Sequence, residues 1–108
     1  MDAAGEELAD RIRALLSGAD VEERRMFGGH AFLTDGHILV GARRGGVLLV
    51  RVNGDTDAAL LTRAGVSRAV MGPRTMSAGW LDVAPSATAD DDTLMFWLDV
   101  ARENGARP

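Results

Sequence analysis

The chain has no cysteine, no lysine and no tyrosine, and 5% of its 108 residues are aromatic. Without cysteine there is no disulfide, no thiol nucleophile and no zinc site built on thiolates. The longest unbroken apolar run covers residues 94–98, far short of the roughly 20 residues that a membrane-spanning helix needs. The opening residues, Met1-Asp2-Ala3-Ala4-Gly5-Glu6-Glu7, are acidic and lack the basic and apolar regions of a secretory signal. A cytoplasmic location is expected. No repeat, low-complexity stretch or long linker interrupts the sequence, so residues 1–108 are read as a single domain.

Apolar residues make up 46% of the chain and the formal net charge is −4. That combination supports a buried core and excludes disorder as the main state. The charge is unevenly spread. Residues 1–20 and 81–108 are net acidic, whereas residues 21–80 carry eight arginines against five acids. The basic centre and acidic ends suit either an anion-binding middle or mutual attraction, within one chain or between two.

Leu8, Ile12, Leu15 and Leu16 follow the spacing of a one-sided helix, expected over residues 4–17 and stopped at Gly18. From Arg24 to Val52 the period becomes two. Asp35-Gly36 is a two-residue hairpin signal. Pairing Thr34 with His37 places Leu33 opposite Ile38 and Ala31 opposite Val40. One face then carries Phe27, Gly29, Ala31, Leu33, Ile38, Val40 and Ala42, and is the expected core face. The other carries His30, Phe32, Thr34, His37, Leu39, Gly41 and Arg43.

For the next strand, residues 47–52, a two-residue turn would point Arg51 inward. A three-residue loop, Arg44-Gly45-Gly46, aligns Ala42 with Leu48 and keeps Arg51 outside, so the hydrophobic pattern selects the longer loop. A second helix is expected from Asp55 or Thr56 to Gly65, with extended pieces near residues 68–71 and 80–83. In the closing helix Asp90, Asp91 and Asp92 complement the dipole at its start and Leu94, Trp97, Leu98 and Ala101 form its buried stripe, with Gly105 at its end. The expected fold is α+β: two layers, a mainly antiparallel sheet with helices on one face, in the order α-β-β-β-α-β-β-α.

Arg25-Met26-Phe27-Gly28-Gly29, the Asp35-Gly36 hairpin, residues 48–51, the Met76…Trp80…Val83…Pro85 stretch and a closing helix centred on Trp97 together resemble the N-terminal domain of the TfoX/Sxy competence regulators. The likeness covers about residues 6–104. It implies a two-layer α/β fold in a stand-alone version of that domain, without the helical C-terminal domain of the full-length regulators. It implies no catalytic residues.

The residues add little chemistry to that. His30 and His37 fall on one face but four strand positions apart, about 13 Å, too far to share a metal. Ser17, Ser67, Ser77 and Ser86 sit in no nucleophile-elbow pattern. The three consecutive aspartates read as a helix start, and Gly28-Gly29 as a bulge or a close backbone approach. Neither an enzyme activity nor a cofactor is expected.

The face turned away from the helices is the expected contact surface. Phe32, Leu39, Val47 and Leu49 form its apolar centre, with Arg43 and Arg51 among the polar residues at its rim. A homodimer or another protein is the expected partner. The alternatives are nucleic-acid binding through the arginine-rich centre, or a small-molecule pocket near Met76 and Trp80. Met26, Phe27 and Trp97 are read as packing residues.

Overall fold

Asp2 decides where the first helix begins. Its carboxylate accepts the Gly5 N–H at 3.0 Å, capping α1 (Ala3–Leu15). The same carboxylate takes the Gly45 N–H at 2.8 Å, tying the helix start to a turn 43 residues on. The computed structural model describes residues 2–26 and 28–105. Leu8, Ala9 and Ile12 are buried on the inner side of α1.

Four strands follow: β1 (Glu22–Met26), β2 (Gly29–Thr34), β3 (His37–Arg43) and β4 (Val47–Arg51). After the short helix α2 (Asp57–Leu60) come β5 (Val66–Arg68), β6 (Val70–Met71), β7 (Arg74–Thr75) and β8 (Trp80–Val83). The helix α3 (Asp91–Gly105) closes the order. Six strands form one antiparallel sheet, β1-β2-β3-β4-β8-β5, and β6 pairs with β7 in a separate hairpin. Helices α1 and α3 cover one face, packing Leu8, Ile12, Leu94, Trp97 and Leu98 against Phe32, Val40, Leu48, Val50, Leu81 and Val83. The α+β class and its mainly antiparallel sheet are as expected.

Two turns are also as expected. Thr34 pairs with His37 and Leu33 with Ile38 around Asp35-Gly36. Ala42 pairs with Leu48 across Arg44-Gly45-Gly46, where Gly45 and Gly46 both have φ near +80°, a region costly for residues with a side chain.

Between those turns the expected register fails. The pairing shifts after Leu33, so that Phe32 faces Val40 and Ala31 faces Gly41, leaving Leu39 as a bulged residue. One unpaired residue inverts the faces of β2. His30 and Phe32 join Val40 and Ala42 on the helix side, whereas Ala31 and Leu33 move to the back. The bulged Leu39 also belongs to the helix-side core.

The span from Arg24 to Thr34 is two strands rather than one. Met26 pairs with Gly29, so Gly28 lies in a hairpin turn, with φ +73°. Phe27, placed on the core face by the sequence pattern, lies outside the described residues. The second helix is shorter than expected, and residues 68–71 divide between the sheet edge β5 and the separate strand β6. The closing helix keeps its reading. Asp90 accepts the Thr93 N–H at 2.8 Å, and Trp97 is buried within the core.

Candidate interaction surface

On the back of the sheet one row of paired residues runs Arg24, Ala31, Gly41, Leu49, Asp82, Ser67 from β1 to β5. Arg43 with Val47 and Arg51 with Trp80 flank that row on the same face. Arg43 belongs to β3 and Asp82 to β8, with β4 between them, yet their side chains meet at 2.7 Å. The guanidinium therefore reaches across β4, beside Leu49. It also donates to the Val70 carbonyl at 2.7 Å and touches the Met71 sulfur, while Asp82 accepts the Val70 N–H at 3.3 Å. Together the pair holds the β6–β7 hairpin over the back of the sheet. Leu49 has 0% exposure there.

These contacts correct the expected contact surface. Phe32 is 2% and Leu39 5% exposed, both within the helix-side core because of the bulge. Leu49 is on the expected face, but its own chain seals it. Arg43 faces outward as expected and is engaged within the molecule. Of the six residues, Val47 is half-buried and Arg51 exposed. They stand at opposite ends of β4, about 13 Å apart, with the sealed middle between them.

At the Val47 end an open cleft of about 280 Å³ is lined by Gly28, Arg43, Arg44, Val47 and Asp82. At the other end the Arg51 guanidinium lies 5.2 Å from the centre of the Trp80 ring, a stacking contact that holds an arginine without discharging it. Arg44, Arg51 and Arg74 make no ion pair with a carboxylate among the described residues. Val70, at the tip of the contact with Arg43, is 42% exposed. The pairing of Arg51 with Trp80 was not anticipated. It depends on β8 joining β4, a non-local pairing without a local sequence signal.

Other polar groups serve the fold. His30 places Nδ1 at 3.1 Å from Glu23 and Nε2 at 3.3 Å from Glu6, and Arg13 grips Glu23 with two bonds of 2.8 Å. Those bonds to Arg13, foremost, hold the Glu23 carboxyl below its ordinary range. This cluster joins β1 and β2 to α1. Across β2 and β3, His30 pairs with Ala42 whereas His37 pairs with Thr34, which keeps the two histidines at opposite ends of the hairpin. No group of three His, Asp or Glu that could hold a metal occurs among the described residues. Asp57, the one buried carboxylate among them, is bound by Arg68 and by the Gly79 N–H. Among the described residues no helix is long and apolar enough to cross a membrane.

A family model described as the TfoX N-terminal domain matches residues 13–104. No curated protein matches. The fold is similar to a crystal structure of a protein from Pseudomonas syringae, solved by the Northeast Structural Genomics Consortium, with a TM-score of 0.64 at 10% identity. That likeness covers 96% of this chain and 99% of the other, and it speaks to the fold alone.

Proposed function

The chain belongs to the TfoX N-terminal domain family, and from that premise we propose that it is a non-catalytic cytoplasmic regulatory module that docks an acidic partner protein on the back of its sheet. The observation that carries this reading is the sorting of charge between the two layers. Helices α1 and α3 contain Glu6, Glu7, Asp10, Asp91, Asp92, Asp99 and Glu103 against Arg11, Arg13 and Arg102, a net acidic balance. The back of the sheet offers Arg51 on Trp80, Arg44 at the mouth of the cleft and Arg74 in the covering hairpin. Guanidiniums outside any carboxylate ion pair among the described residues, with half-buried Val47 next to Arg44 and exposed Val70 in the hairpin that carries Arg74, combine steering charge with a small apolar contact. Two copies joined back to back would set these arginines against each other. A second copy would fit through its acidic helices, a head-to-tail contact.

The test is a titration with a peptide rich in Asp and Glu, followed by NMR and repeated with a DNA duplex of equal charge. Saturable shifts at Val47, Arg51 and Trp80 that vanish in an Arg44→Glu/Arg51→Glu variant support the reading. Shifts on the helical side, or none at low salt, overturn it. Tighter binding of the duplex, falling steeply with salt, gives the surface to nucleic acid instead. Light scattering on the two proteins shows whether the acidic partner is another copy.

A further inference from the structure

On the opposite side of the molecule, and independent of the docking surface, a cleft of about 350 Å³ is lined by Arg63, Ala64, Ala87, Thr93, Phe96 and Trp97. We propose that it binds a small organic anion with a flat apolar body, of the aromatic carboxylate class, and that Arg63 holds the anionic group.

The aromatic pair is orthogonal: the Phe96 and Trp97 rings have centroids 5.0 Å apart and planes at 83°. Trp97 is 2% exposed and forms the floor, while Phe96, half-buried, forms a wall. The Arg63 guanidinium carbon lies 4.3 Å from the Phe96 centroid and 5.8 Å from that of Trp97. Stacking engages the flat face of a guanidinium and leaves its in-plane N–H edge available, the edge that matches a carboxylate with two parallel bonds. Arg63 has no carboxylate partner among the described residues. By contrast Arg11, Arg13, Arg24, Arg43 and Arg68 are all paired.

The nearby acids do not fill that role. Asp90 turns to the Thr93 N–H at 2.8 Å and Asp91 to Arg11 at 3.3 Å. The Thr93 hydroxyl donates to the Asp90 carbonyl at 2.9 Å, so its proton is already committed and Arg63 is left as the group that can donate to an anion in the cleft. A preorganised cation above an apolar floor, in a volume at the lower end of the roughly 300–1,000 Å³ of small-molecule sites, selects an anion with a ring over a bare anion or a neutral ring.

Sodium benzoate is the probe, with benzamide as its uncharged match and acetate as the anion without a ring. In an Arg51→Gln background, which removes the guanidinium stacked on Trp80, the two tryptophans give two indole N–H signals, Trp97 in the cleft and Trp80 on the far face as internal control. The expected result is a saturable shift of the Trp97 signal with benzoate at millimolar concentration, with Trp80 unmoved and the other two probes much weaker. Arg63→Gln should weaken benzoate by roughly tenfold or more, the weight of a charge-assisted hydrogen bond, while its spectrum stays dispersed. Arg63→Lys should fall between. An unmoved Trp97 signal overturns the proposal. So do equal shifts at both indoles, equal response to benzamide or acetate, or unchanged affinity in Arg63→Gln.

Discussion

The backbone N–H of Gly79 donates to the buried carboxylate of Asp57 at 2.7 Å, across 22 residues of sequence. The carbonyl of the same glycine accepts the Val52 N–H at 2.7 Å. Gly79 thus ties the start of α2 to the segment just past β4, and Arg68 on the sheet edge completes the clasp. Four predictions follow from this and neighbouring contacts.

The Asp57 carboxyl lies below its ordinary value, first because of the bond from Arg68 and then because of the Gly79 N–H. Asp2 is lowered too, by the N–H groups of Gly5 and then Gly45, and Asp90 by the N–H of Thr93. In each case the unfolded carboxyl, with a pKa of about 3.9, takes up its proton at higher pH than the folded one. The stabilisation is therefore fully present above that pH and is lost as pH falls toward the folded values. Urea midpoints measured at a series of pH values should decline below about pH 4. Asp57→Asn should lower the midpoint at neutral pH and make the acid decline shallower.

Gly79 has φ +94°, and a methyl group there would sit 2.8 Å from the Val52 carbonyl oxygen. Gly79→Ala should cost about 3 kcal/mol or more, since strain and a backbone clash add. Gly41 is the control: its φ is ordinary and its added methyl would meet the His30 carbonyl oxygen at 3.4 Å and Leu49 at 3.6 Å, so Gly41→Ala should stay within about 1 kcal/mol. Chemical denaturation of both variants separates the two.

Leu49 is wholly buried and Arg51, two residues on, is exposed. Leu49→Ala should destabilise by about 2–5 kcal/mol, and Leu49→Asp should unfold the domain. Arg51→Glu should cost no more than about 1 kcal/mol, the contact with Trp80 being at the surface. A small effect of Leu49→Ala on the denaturation midpoint would mean that the hairpin does not seal the back of the sheet.

Arg43 and Asp82 have side chains 17% and 18% exposed. Arg43→Met leaves the Asp82 carboxylate and the Val70 carbonyl without that partner and should cost about 1–3 kcal/mol. Adding Asp82→Leu should recover part of that loss, because two apolar groups can replace a pair more easily than one member can be left alone. Proteolysis at residues 70–75 should be faster in the single variant, since this pair anchors the hairpin.

Much of the fold was legible where chemistry is local. Asp35-Gly36 specifies a tight turn, Arg44-Gly45-Gly46 a loop of three residues, and the run of aspartates before Leu94 a helix start. Each is settled by residues a few positions apart. Arg51 was legible as outward for the same reason, since only the longer loop puts Leu48 and Val50 on the core face with Ala42. The contact surface was not legible. Trp80 becomes a neighbour of Arg51, and Phe96 of Arg63, only when distant elements pack.

The bulge shows the limit most clearly. Local alternation in β2 offers two faces, Ala31 with Leu33 or Phe32 between two polar neighbours, and periodicity with the turn register favours the first, the wholly apolar one, whereas the fold buries the second. Burial of the large Phe32 ring beneath α1 and α3 decides, at the expense of one unpaired residue at Leu39. So the amino-acid sequence determined the class of fold, the turns at Asp35-Gly36 and Arg44-Gly45-Gly46 and the start of the closing helix, all governed by short-range geometry. The assembled structure alone decided which face of β2 is inside and that Arg43 and Asp82 close a hairpin over Leu49, because those outcomes depend on packing between segments far apart along the chain.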